Sequence, residues 1–245
     1  MKRTHLAIAI ILILSSSYAI EYYTNWRYPK EDLVFKGIPE LQVGVLQDFT
    51  YLKQLEPVGT YSYTITGDSN GVYTMTSNTD VSMNGKQIQL DSTFQFDDQY
   101  QPKHYSLIAK QGDQNETFEI AVTGTTITSV ITLENQTVTL TDELPAGGYL
   151  LESNMPGFWE ILLLSTDLQS GGRYKAKAYI PQGGAVFDLE FYVTPGNKKI
   201  YINDTQYACT LIQETTLDLS FYMYQGKLVE MKDTNQDLIF DRVMN

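Results

Sequence analysis

At 245 residues, with 18 tyrosines, 10 phenylalanines and a net charge of −12, the chain has the length of one large β domain with appendages and a strand-forming composition. Its 17 basic residues are scattered among 29 acidic ones, which argues against a nucleic-acid partner, because a phosphate backbone needs clustered Lys or Arg for counterion release. The single cysteine, Cys209, excludes an internal disulfide and reads as a small buried hydrophobe in the apolar run YACTLI.

The chain begins with Lys2 and Arg3, then nine apolar residues from Leu6 to Leu14, then small and polar residues ending at Ser17-Tyr18-Ala19. Residues 1–20 are therefore expected to be an export signal, with cleavage favoured and an N-terminal signal anchor left open. The basic flank places the remainder outside the cytoplasm: cell surface, periplasm or extracellular space. Loss of the leader would leave 15 basic against 29 acidic residues, a charge of −14. Residues 21–56 contain Pro29 and Pro39 and no sustained period, so they read as a stem or N-terminal extension. Within them, Tyr51 to Glu56 is expected to make one or two helical turns before Pro57.

Residues 57–245 read as an antiparallel β domain. Tyr61, Tyr63 and Ile65 alternate with Ser62, Thr64 and Thr66, and further strand candidates follow at short intervals through Val138 to Leu140. Val81 to Leu90 is among them, with Asn84-Gly85 as a turn or bulge. The segment FWEILLLSTDL, from Phe158, is too continuously apolar for a surface helix and stops at Gly171-Gly172; a short buried helix fits it.

Arg173 to Tyr192 fixes its own register. With Gln182 and Gly183 as the central turn residues, Ala178 faces Phe187, Ala176 faces Leu189 and Tyr174 faces Phe191, while Lys177 meets Asp188 and Lys175 meets Glu190 on the other face. Ala176 and Ala178, the smallest residues on that apolar face, are expected to make room for Trp159 or its neighbours. The strand count reaches roughly a dozen with the runs that follow, ending at Leu238 to Val243. The expected fold is all-β: a large curved antiparallel sheet or incomplete barrel with one short internal helix.

Gly67-Asp68-Ser69-Asn70-Gly71 matches the G-x-S-x-G spelling of a nucleophile elbow, but strands flank it on both sides where the elbow needs a helix after it, so a hairpin turn explains it. Asp233, Asn235, Asp237 and Asp241 have partial calcium-loop spacing, yet the loop's glycine position holds Leu238 and its final acidic position holds Met244, which favours a polar turn. Sequons begin at Asn115, Asn135 and Asn203 and are permissive of glycosylation in an exported chain. Two histidines and no zinc spacing or phosphate loop leave a non-enzyme without catalytic residues, cofactor or metal as the expectation.

The strand series from Tyr61, the helix and glycines from Phe158 to Gly172, the strand from Tyr174 to Ile180 ending in Pro181, and the closing Gln225 to Glu230 resemble the layout of uncharacterised exported families of bacteria and archaea. The fold of those families is compared with the outer-membrane lipoprotein carrier. The resemblance implies a helix tucked into the concave side of the sheet and a concave apolar face that could hold a lipid or another apolar ligand. Trp159, Tyr174, Phe187, Leu189 and Phe191 are the ligand-binding candidates near that face; the competing expectation is that they simply fill a core. The alternative function is a surface structural or interaction module that meets another protein and has no ligand.

Overall fold

The computed structural model describes residues 29–37, 43–67, 71–83, 85–112, 114–133 and 136–244. The leader, Asp68 to Asn70, Asn84 and Asn135 lie outside them. Among the described residues there are sixteen strands and one α-helix. The strands are β1 (Lys30–Asp32), β2 (Gln47–Lys53), β3 (Glu56–Gly67), β4 (Val72–Met83), β5 (Lys86–Asp97), β6 (Pro102–Gln111), β7 (Gln114–Thr123), β8 (Thr126–Leu133), β9 (Gln136–Glu143), β10 (Tyr149–Leu150), β11 (Arg173–Ile180), β12 (Ala185–Ile202), β13 (Thr205–Glu214), β14 (Leu219–Tyr224), β15 (Lys227–Asp233) and β16 (Leu238–Arg242). The helix, α1, is Pro156–Leu164.

All sixteen strands belong to one sheet, in the order β1-β11-β12-β13-β14-β15-β16-β2-β3-β4-β5-β6-β7-β8-β9, with β10 also on β11. Only β1 and β10 run parallel to their neighbour. The ladder ends at β9 and does not close into a barrel, although Ser129 on β8 and Tyr179 on β11 bring hydroxyls within 3.2 Å across the gap.

Three expectations are corrected. The stretch assigned to a stem contains β2, a central strand between β16 and β3, so the β domain starts well before residue 57. Tyr51 to Lys53 is extended rather than helical, and Gln54 and Leu55 turn the chain with positive φ of 53° and 66°. Within Val81 to Leu90 the expected turn is present at Gly85, φ 73°, and joins two twelve-residue strands, β4 and β5. The helix is also shorter than its apolar run. It ends at Ser165, whose N–H reaches the Ile161 carbonyl at 3.0 Å, and Thr166 then bridges to Phe35.

The hairpin of β11 and β12 has the expected register: Tyr174 opposite Phe191, Ala176 opposite Leu189 and Ala178 opposite Phe187. A four-residue loop closes it, with a 3₁₀ turn over Pro181–Gly183 and Gly184 left-handed at φ 57°. On the outer face Lys177 pairs with Asp188 at 2.5 Å. The addition of β1 redirects the second charge pair: Lys175 reaches Asp32 at 3.4 Å, and Glu190 takes Lys30 at 2.5 Å.

The main core lies on the concave face, where Tyr61, Tyr63, Met75, Phe94, Phe96 and Tyr105 are buried. Phe158 of α1 enters this aromatic bed, stacked on Phe94 at 4.9 Å and edge-on to Tyr105 at 5.9 Å. A smaller cluster of Ile200, Ile202, Cys209 and Val229 packs separately. Burial there pushes the Cys209 thiol up to about 11, with Glu230 adding to it, so the cysteine is an unreactive packing residue.

Candidate functional site

Residues Pro156 to Leu163 of α1 are all buried, which is why this segment lacks the polar stripe of a surface helix. The helix fills the middle of the concavity at close range. A Cβ on Gly157 would meet the Tyr61 hydroxyl at 2.7 Å, Tyr63 at 2.9 Å and the Met75 sulfur at 3.0 Å, so glycine permits the approach. The Gly157 N–H donates to the Tyr61 hydroxyl at 3.2 Å, and the Tyr100 hydroxyl donates to the Phe158 carbonyl at 3.0 Å.

Glu160, the one acid in the helix, is held by a polar cluster in the core. Its carboxylate accepts from the Tyr63 hydroxyl at 2.5 Å, from the Leu228 N–H at 3.0 Å and from the Arg242 guanidinium. Arg242 also donates to the Leu228 carbonyl at 2.6 Å and to Gln47, and its guanidinium carbon sits 4.7 Å from the centre of the Phe49 ring. Both members of the pair are 5% exposed. With its lone pairs satisfied and no path to solvent, this cluster pins α1 to β2, β3, β15 and β16 and is structural.

Glu152 differs. It is fully buried, neither carboxyl oxygen meets a donor at hydrogen-bonding geometry, and desolvation raises its pKa to about 8, with the neighbouring Tyr105 hydroxyl pulling the other way. Its backbone carbonyl accepts from the Trp159 indole at 2.8 Å.

The five ligand candidates separate. Trp159 and Leu189 are sealed in the core, the indole packed against Phe221 at 5.1 Å and Phe191 at 6.5 Å. Phe187 is half-buried against that core. Tyr174 and Phe191 wall an open groove of about 480 Å³ together with Gly171, Tyr192, Pro195 and Thr215, and with Lys30, Arg173 and Glu190 among its polar members. The structure thus brings two of the five to the border of one groove, with Tyr174 6% and Phe191 2% exposed.

Local chemistry shapes that groove. Gly171 is left-handed at φ 80° and lies under Pro195, and a Cβ on Gly172 would fall 2.5 Å from the Tyr174 hydroxyl. The ring therefore folds back over the turn, where its hydroxyl accepts from the Gln169 N–H at 2.8 Å. The Thr215 wall is held by buried Glu214, which accepts from the N–H groups of Glu190, Thr216 and Leu217 at 3.0, 2.9 and 2.7 Å. Groove walls from ion-paired β1, the turn at Gly171, the bulged strand β12 and the turn at Thr215 come from four separate parts of the chain, so sequence reasoning missed Tyr192, Pro195 and Thr215. A second, smaller trough of about 230 Å³ lies on the concave face beyond the helix start, lined by Tyr51, Val81, Ile88 and Leu90 among others.

The Asp233 segment is a hydrogen-bonded turn: Asp233 accepts from the Gln236 N–H and side-chain amide, both at 2.9 Å, and Asn235 donates to the Leu217 carbonyl at 3.0 Å. Asn115 and Asn203 of the sequons are exposed, on β7 and in the β12–β13 turn. No helix among the described residues is long and apolar enough to cross a membrane.

No family model and no curated protein matches the chain. Among solved structures it is similar to a β-barrel-like protein of a domain of unknown function (DUF1849) from Brucella abortus, with a TM-score of 0.50 and 12% identity over 81% of this chain and 94% of that one. It is also similar to a DUF1089 family protein from Pseudomonas aeruginosa, with a TM-score of 0.40 and 12% identity over 69% of this chain and 87% of that one. The first likeness shows the fold: a barrel-like β domain of a kind without assigned activity, not specifically that of the lipoprotein carrier.

Proposed function

We propose that this is a non-enzymatic extracytoplasmic protein that holds a lipid or another apolar ligand, in the groove of Tyr174, Phe191, Tyr192 and Pro195 rather than in the middle of its concave face. The observation that carries the reading is the groove itself. Its volume of about 480 Å³ and its aromatic lining suit a small apolar molecule, whereas α1 occupies the centre of the concavity with its own side chains. The Lys30–Glu190 ion pair and Arg173 give a charged side to a cleft whose other walls are largely apolar, the arrangement an amphipathic ligand matches. The leader-like apolar run at the N-terminus supports the extracytoplasmic placement.

Thr215 is exposed on the groove wall, so Thr215→Trp fills the cleft without touching the core. Titration with N-phenylnaphthylamine should give saturable one-site binding to the natural chain, lost at least tenfold in the variant while its thermal unfolding stays unchanged. Equal binding by both chains, or none by either, would remove the groove as the site. The alternative class, an interaction module, draws on a different surface, the free edge of the sheet.

A further inference from the structure

We infer that β9 is an interface between two copies of this chain, paired edge to edge and antiparallel with Thr139 on the twofold axis. The two ends of the sheet are treated differently. Among the described residues, β11 at one end is covered by β1 and β10, while at the other end β9 pairs with β8 alone. Seven of its eight residues are exposed, it has no Lys, no Pro and no bulge in its pairing with β8, and its charges, Asp142 and Glu143, are confined to its last two positions.

Its concave side is apolar as well as open. The ladder registers place Leu107, Phe118, Ile131 and Val138 in one row across β6 to β9, and Leu133, Val138 and Leu140 are 43%, 47% and 45% exposed. Such a row ending at an unpaired strand lacks a neighbour on that side.

The strand is self-complementary. In the antiparallel register with Thr139 facing Thr139 of the second copy, Val138 faces Leu140 of the second copy on the concave side, and Thr137 faces Thr141 of the second copy on the outer side. Both faces agree, threonines meet threonines, and an aliphatic meets an aliphatic. Asp142 then faces Gln136 of the second copy, an amide rather than another acid. A register one residue away would set Val138 against threonine and break both faces. A C₂ pairing of this kind uses the same patch twice and closes on itself, so it yields a dimer and not a fibre. It is independent of the apolar groove, which lies at β11 and β12.

Sedimentation equilibrium of the full chain should give twice the chain mass. Thr139→Lys and Thr139→Glu, at an exposed outer-face position, each place like charges opposite one another and should return the mass to that of one chain; their equimolar mixture should restore the doubled mass. Thr139→Cys should oxidise to a disulfide-linked dimer, and Thr141→Cys, which faces position 137, should not. A natural chain of single mass, a dimer indifferent to both charges, or a chain that gains mass only when offered a strand from another protein would each overturn the inference.

Discussion

Glu152 is a carboxyl whose chemistry departs far from that of the free amino acid. In an unfolded chain its carboxyl titrates near 4.5, whereas in the fold desolvation raises the pKa to about 8. The folded state therefore keeps a proton that the unfolded state has lost, so the contribution of Glu152 to stability is fully present below about pH 4.5 and is lost as pH rises through about 8. Asp241, raised to about 7 by burial and by Glu230 opposite it, adds a slope of the same sign. Glu152→Gln removes the larger contribution: denaturant unfolding at a series of pH values should show the variant gaining on the natural chain by a few kcal/mol between those limits, and parallel curves would contradict the assignment. The Glu160–Arg242 pair behaves in the opposite way under mutation. Arg242→Met strands a buried carboxylate and should cost about 3 to 5 kcal/mol, while the joint replacement Glu160→Leu with Arg242→Met should recover most of that loss, because the two desolvation penalties vanish together.

At the scale of elements, α1 and the strands beneath it form one packing unit. Gly157→Ala inserts a methyl where three atoms already stand within 3.0 Å, and the overpacking should cost about 1 to 3 kcal/mol in urea unfolding. Trp159→Ala should cost about 3 to 5 kcal/mol, since the indole loses Phe221 and Phe191 and leaves the Glu152 carbonyl without its donor. The hairpin of β11 and β12 was legible from sequence because two independent patterns, aromatic against alanine and lysine against acid, select one register. Strand β2 was not legible. Phe49 and Tyr51 alternate over too short a run, and what buries them is β16, nearly two hundred residues away in sequence. The acid inside FWEILLL was a readable sign that the helix needed a cationic partner, and the inward-facing Arg242 in the last strand was the residue to look for. Of the candidate ligand residues, Tyr174 and Phe191 reach an accessible groove, but their alternation marks only which face they share. Whether a face is open or filled depends on the helix, the 165–172 segment and the β12 bulge, which no local period reports.

For the molecule as a whole, an antiparallel sheet this long has two problems to solve, an apolar concave face and two edges. Helix α1 answers the first by filling the hollow from within with its own buried side chains. One edge is answered by β1 and β10, and β1 borders the groove, through Lys30 beside Glu190, together with the turn at Gly171. The ligand site we propose therefore lies at the seam beside β1, not in the hollow, which α1 fills. The most direct measurement is native mass spectrometry of the full chain purified from the cells that make it, followed by organic extraction and identification of what is released. One apolar molecule per chain, absent from Thr215→Trp prepared in the same way, is the predicted result. A mass equal to the protein alone in both preparations, with nothing apolar in the extract, would contradict it.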